Sequence, residues 1–132
     1  MTYLVERMAE LRRHLDHLRA LRPRVPKPEV LERDLSLHND VLFSLLTVCQ
    51  LVIGIAGELS ARPGDEAIRN LVRDDRFSPD LVRELERLPG FRNVLVHEYV
   101  SLDMDRVIEA LDHLEPIQRF LAVVADIEGV NG

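Results

Sequence analysis

Phe91-Arg92-Asn93-Val94-Leu95-Val96-His97-Glu98-Tyr99-Val100 sets four side chains able to donate hydrogen bonds, Arg92, Asn93, His97 and Tyr99, among apolar residues of the kind a helical core uses. At about 100° per residue, Phe91 and Leu95 share one helical stripe with Leu88 and Glu98. Arg92, Asn93, Val96 and His97 fan over roughly 140° of the opposite side. The segment therefore reads as a helix with a core face and a chemical face. Asn93 and His97 are i, i+4 neighbours, so the amide can fix which imidazole nitrogen carries the proton. Arg92 and Tyr99 are i, i+7, about 10.5 Å apart along an unbroken helix. A titratable base, a permanent cation and a phenol gather on one side.

This arrangement resembles the signature of the HEPN superfamily, and within it the HepT-like toxin ribonuclease branch. A bare Arg-x4-His is common, whereas Gly90-Phe91-Arg92-Asn93, three residues, then His97-Glu98-Tyr99 is specific. The resemblance maps Arg92 to the motif arginine, Asn93 to its polar neighbour, His97 to the catalytic histidine and Tyr99 to the terminal tyrosine. It extends over nearly the whole chain through the order of helices, including a long helix from near Asp103. Pro89 departs from it and is expected to bend or break the helix ahead of Arg92.

The resemblance implies an all-α fold, a HEPN-type bundle of four to five antiparallel helices, homodimeric. It also implies metal-independent RNA cleavage, with the ribose 2′-hydroxyl attacking the neighbouring phosphate and no cofactor. The motif suits that chemistry. Histidine as a residue type has a reference pKa near 6.5, which suits His97 to exchange a proton at neutral pH, while an arginine such as Arg92 can hold two phosphate oxygens. In-line displacement wants a base on one side and an acid on the other, and the chain offers one motif histidine. A two-fold dimer with the motif at its interface supplies the second. In the HepT-like branch the partner is a minimal nucleotidyltransferase antitoxin that adds AMP to the motif tyrosine, here Tyr99. The competing reading is a noncatalytic HEPN dimer that keeps the motif to bind a nucleotide or a protein.

The 132-residue chain is consistent with one domain over residues 1 to 132. Cys49 has no partner, so neither a disulfide framework nor a thiolate metal cluster is expected, and a reducing, cytoplasmic setting follows. Tyr3 to Arg7 lacks the apolar run of a signal peptide. A net charge of −6 argues against a protein that coats nucleic acid through a broad basic surface. An RNA-acting site must then be local. Arg69, Arg73, Arg76, Arg83 and Arg87 precede the motif, either as solvated faces paired with Asp74, Asp75, Glu84 and Glu86 or as a phosphate track.

Residues 3 to 21 place Leu4, Met8, Leu11, Leu15 and Leu18 on one helical stripe. His14 and His17 lie on that helix at i, i+3 and are read as surface residues, since no Asp, Glu or Cys motif completes a metal site; His38 and His113 are read the same way. Arg22 to Pro28 is a rigid connector with three prolines. Glu29 to Ala61 is the longest helical stretch, with a bend near Leu35 to Ser36. Its uncharged run from Val41 to Gly57, 17 residues, is near the lower edge of membrane-spanning length. Ser44, Thr47, Gln50 and two glycines inside it favour a helix buried by its own bundle and a second subunit instead.

Ala61 to Asp65 reads as a turn, with Asp65 capping a short helix to about Asp74 that buries Ile68, Leu71 and Val72. Ser78-Pro79-Asp80 starts the next helix, which buries Leu81, Leu85 and Leu88 and resumes past Pro89-Gly90 to end at Val100 to Leu102. The last helix starts at Asp103 or Asp105, with Pro116 kinking it and Gly129 to Gly132 as a frayed end.

Overall fold

The computed structural model describes residues 3–61, 64 and 66–130, apart from the side chain of Tyr99, and eight α-helices form among these described residues. They are α1 (Tyr3–Leu21), α2 (Pro28–Arg33), α3 (Leu35–Ser60), α4 (Glu66–Arg69), α5 (Pro79–Leu85), α6 (Leu88–His97), α7 (Met104–Leu111) and α8 (Glu115–Glu128). Among the described residues there is no strand. The all-α bundle expected from the sequence is what forms.

The buried residues of α1 are Met8, Leu11, Leu15, Leu18 and Leu21, the stripe read from the sequence, with Leu4 packed at its edge. Pairs that cross from α1 to α3 set those two helices antiparallel. The Tyr3 hydroxyl rests near Gly54, His14 meets Ser44, and His17 meets Asp40. α8 packs on α1 and α5, and α2 packs on α7. Phe77 and Phe120, both fully buried, stack at 5.8 Å and tie the entry of α5 to α8.

α3 is the central element. It is long and apolar enough to cross a membrane by length and composition, yet 56% of its most apolar window is buried within the fold. The bend expected near Leu35 is a break one residue earlier. Asp34 leaves helical geometry (φ −108°, ψ 97°) and its carboxylate accepts the Leu37 N–H at 3.1 Å, so one residue ends α2 and caps α3. At the other end Ala61 adopts the left-handed conformation (φ 56°).

Of four local expectations three are corrected and one is met. Val72 is 53% exposed, because α4 tightens into a 3-10 turn at Asn70–Arg73 that buries Leu71 alone; the Asp65 cap lies outside the described residues. The break expected ahead of Arg92 is there: α5 ends at Leu85 and α6 begins at Leu88, with Pro89 in its first turn, where no intrahelical N–H is needed. The last helix is not one kinked helix but two, because the chain leaves helical bonding at Asp112 to Leu114 and Pro116 enters the first turn of α8. Gly129 and Val130 are not frayed. Gly129 is a left-handed cap (φ 69°), and Val130 donates to the Ala125 carbonyl at 2.9 Å and packs on the core.

Candidate active site

α6 presents the motif. Leu95 is buried, with Leu88, Phe91 and Val94 packed at the edge of the core, so the core face is the one its spacing predicts. Arg92 is half-buried, while Asn93, Val96 and His97 are exposed. The two faces of the helix are thus as different as the sequence implies. α6 runs antiparallel to α3. Leu95 faces Leu42, Phe43 and Leu46 in a groove of about 190 Å³, one to two turns nearer the start of α3 than Cys49, which feels the charge of Arg92.

Arg92 donates from Nε and from Nη2 to one acceptor, the Asn93 amide oxygen, at 3.3 and 3.1 Å. The same amide lies one helical turn from His97, at i, i+4. Its carbonyl faces the guanidinium, because Asn93 sits beside Arg92 in sequence and the two long side chains lean together over the exposed rim. The field of Arg92 reaches the buried Cys49 thiol. Burial pushes that thiol up to about 12, with Arg92 pulling in the opposite direction.

His97 is the last residue of α6. The Glu98 N–H still reaches the Val94 carbonyl at 2.9 Å, but Glu98 has left helical geometry (φ −119°, ψ 29°) and a 3-10 turn follows at Tyr99–Ser101. Tyr99 thus stands on a separate turn past the helix end, and the i, i+7 phase relation to Arg92 expected of an unbroken helix does not apply. The Tyr99 side chain lies outside the described residues.

The basic residues ahead of the motif divide. Arg76 forks onto Asp74 at 3.0 and 2.8 Å, Arg83 meets Asp80 at 3.1 Å, and Arg87 lies 3.8 Å from Glu84. The Arg76 guanidinium holds the Asp74 carboxyl below its usual range. These three are solvent-facing cations with local counter-charges, Arg83 and Arg87 at the two ends of the α5 to α6 junction and Arg76 in the turn before α5. The two α1 histidines do not act as a pair. His14 is largely covered, with Nδ1 3.1 Å from the buried Ser44 hydroxyl and its ring against Phe43, whereas His17 Nε2 lies 2.8 Å from Asp40. His14 is thus a seam residue between helices, which its sequence position alone did not reveal. Among the described residues no group of three His, Cys, Asp or Glu side chains converges as metal ligands would.

A family model described as ribonuclease HepT-like matches residues 11–124, nearly the whole helical bundle with the motif inside it. The chain belongs to the HepT-like ribonuclease family. It is similar to the mRNA nuclease HepT of Shewanella oneidensis, 25% identical over 101 residues, 70% of this chain and 76% of that protein. Among solved structures it resembles a tri-AMPylated Shewanella oneidensis HEPN toxin in complex with MNT antitoxin, with TM-score 0.80 and 21% identity, covering 96% of this chain and 99% of that one. A toxin-antitoxin structure with AMP-PNP aligns with TM-score 0.79 and 20% identity, over 93% and 97% of the two chains. These likenesses identify the fold as the HEPN bundle. This HepT-like chain carries Arg92 and Asn93 along the side of α6 away from the core and His97 at its exposed end.

Proposed function

We propose that this HepT-like chain is an endoribonuclease toxin of a toxin-antitoxin pair. The observation that carries the reading is the placement of half-buried Arg92 and exposed His97 on the side of the motif helix away from the core in a member of a ribonuclease family. Cleavage would proceed by transesterification. The 2′-hydroxyl loses its proton to an imidazole, its oxygen bonds to phosphorus, and the bond to the 5′-oxygen breaks as that oxygen takes a proton. The products are a 2′,3′-cyclic phosphate and a free 5′-hydroxyl. Arg92 neutralises charge building on the nonbridging oxygens, and Asn93 keeps its guanidinium directed along the surface. His97 transfers the protons. The reaction needs no metal and no cofactor.

One imidazole cannot stand on both sides of an in-line displacement, so the active form is a homodimer whose two α6 ends share a cleft. The partner is a minimal nucleotidyltransferase antitoxin, in keeping with the MNT complex named for the similar structure. Its target is Tyr99, where an added AMP would bring negative charge to the end of the motif. The setting is cytoplasmic.

Purified protein incubated with total RNA in the presence of EDTA is expected to release fragments ending in cyclic phosphate, and His97→Ala and Arg92→Ala to abolish them with the circular dichroism unchanged. Cleavage that survives His97→Ala would end the assignment. Co-expression with such a transferase should place adenylate on Tyr99 by mass spectrometry, and a label elsewhere would remove Tyr99 from the regulatory role.

A further inference from the structure

The largest cavity among the described residues is a half-open apolar trough of about 510 Å³ between α3, α5, α6, α7 and α8. It carries both signs of charge, Glu84 and Glu109 beside Arg87 and Arg106, and so selects an ion of neither sign. The side of α6 away from the core is different, because there a pair of neighbouring side chains has turned its acceptor inward.

Arg92 fixes the orientation of the Asn93 amide. An arginine side chain has donors and no acceptor, so the amide atom that meets Nε at 3.3 Å and Nη2 at 3.1 Å must be the oxygen. A flip of the amide would set N–H against N–H. The oxygen is thus taken up twice, and what the amide can offer a ligand is its other end. The hydrogens on Nδ2 meet no acceptor among the described residues. The bidentate hold that an unengaged asparagine takes on adenine needs the oxygen as well as the nitrogen, and is closed to Asn93. A phosphate, which offers acceptors only, is not excluded in this way. It has two nonbridging oxygens to satisfy. The edge of the guanidinium carrying Nε and Nη2 is one of the forks with which an arginine grips an oxyanion, and here it leans on the amide oxygen instead. The donor that stands beside that occupied edge is Nδ2 of the same amide. Asn93 and His97 are both exposed, with half-buried Arg92 next in sequence, and the rise from Asn93 to His97 is about 6 Å. Cation, amide donor and imidazole follow one another along the helix, with the amide in the middle.

We infer that Asn93 is a catalytic residue and not only the support of Arg92: an Nδ2 hydrogen donates to a nonbridging oxygen of the scissile phosphate and shares with the guanidinium the charge that builds there. The inference rests on the ribonuclease reading and deepens it.

Single-turnover cleavage of an oligonucleotide with one 2′-hydroxyl, and so one cleavable linkage, tests it. The linkage is made in its ordinary form and as each of the two phosphorothioate stereoisomers. Sulfur accepts a hydrogen bond poorly, so a residue that donates to one nonbridging oxygen matters less where sulfur replaces that oxygen. Asn93→Ala is expected to slow the ordinary linkage and one stereoisomer about 5-fold, the worth of one hydrogen bond, and the other stereoisomer by less than about 2-fold. The 5-fold loss should persist in an Arg92→Lys background, where a cation remains but the fork onto the amide is gone. Circular dichroism should not change, since Asn93 is exposed. Equal slowing of all three linkages, or a loss that vanishes beside Arg92→Lys, would show that Asn93 acts through the guanidinium alone and overturns the inference. Absence of cleavage by the unaltered chain overturns the ribonuclease reading and this inference with it, and is seen before any variant is made.

Discussion

At the scale of single residues, the decisive contact is the fork from Arg92 onto the Asn93 amide. A guanidinium held by its neighbour meets a phosphate with less of its side-chain freedom left to lose. Asn93→Ala should therefore lower the rate of RNA cleavage by about 5-fold, the worth of roughly 1 kcal/mol of one hydrogen bond. Arg92→Ala should lower it by about 10²- to 10³-fold, as when a donor to a developing anion is lost. Single-turnover rates on a defined RNA check both, and equal losses would show that Asn93 does more than position. Asp112 makes a second residue-scale case. Arg22 donates to both of its oxygens, at 2.7 and 3.2 Å, which holds the carboxyl below its usual range. Because its folded value is depressed, the stability it adds is present above the unfolded value near 3.9 and is lost as pH falls through the folded value. Both side chains are substantially exposed, so the gain is below about 1 kcal/mol. Asp112→Asn should lower the urea midpoint slightly at pH 7, and the gap to the parent chain should close on acidification below about pH 4. A gap that widens in acid would contradict the sign.

Helices differ in how plainly their sequences announce them. The Leu-rich stripe of α1, the Ser78-Pro79-Asp80 start of α5 and the two-faced motif of α6 were legible because each is a local signal, a period or a cap. Ser78 does accept the Leu81 N–H at 3.2 Å. What stayed illegible depends on partners far along the chain. The split of the last helix at Asp112 to Leu114 coincides with the hold Arg22 takes on Asp112, ninety residues away, and no periodicity records that. The cavity is invisible for the same reason, since its wall residues come from α3, α5, α6, α7 and α8. The 3-10 turn that carries Tyr99 escaped because Glu98-Tyr99-Val100 contains no proline or glycine to mark a helix end. The end of α3 offers a test at this scale. Ala61 holds φ 56°, where an L side chain is disfavoured by about 1–2 kcal/mol and glycine is not. Ala61→Gly should raise the unfolding free energy by about 1 kcal/mol, a few degrees in Tm for a domain of this size. A fall in Tm would show that the cost of a freer unfolded chain outweighs the relieved strain.

For the whole molecule the question is what covers the open side of α3. Asn39, Phe43, Leu46 and Gln50 follow a 4, 3, 4 spacing and line one face. Phe43 is 64% exposed, an unusual position for a phenyl ring in the middle of a central helix, and the groove it shares with Leu95 leads to α6, where Val96 is 48% exposed. An apolar strip continuous with the motif face is the surface a two-fold related copy would need, because a self-complementary contact there brings both α6 ends together. Phe43→Glu separates folding from assembly. In the monomer the side chain reaches water, so the unfolding free energy at a concentration where both chains are monomeric should change by no more than about 0.5 kcal/mol. In the dimer two carboxylates would face each other across an apolar seam, at a cost of several kcal/mol. Light scattering should then report a monomer, and RNA cleavage should fall as it does for His97→Ala, although no motif residue has been touched. A variant that remains dimeric and active would move the interface off α3. A variant that is monomeric yet fully active would show that one chain supplies both proton transfers, and the shared cleft would have to be given up.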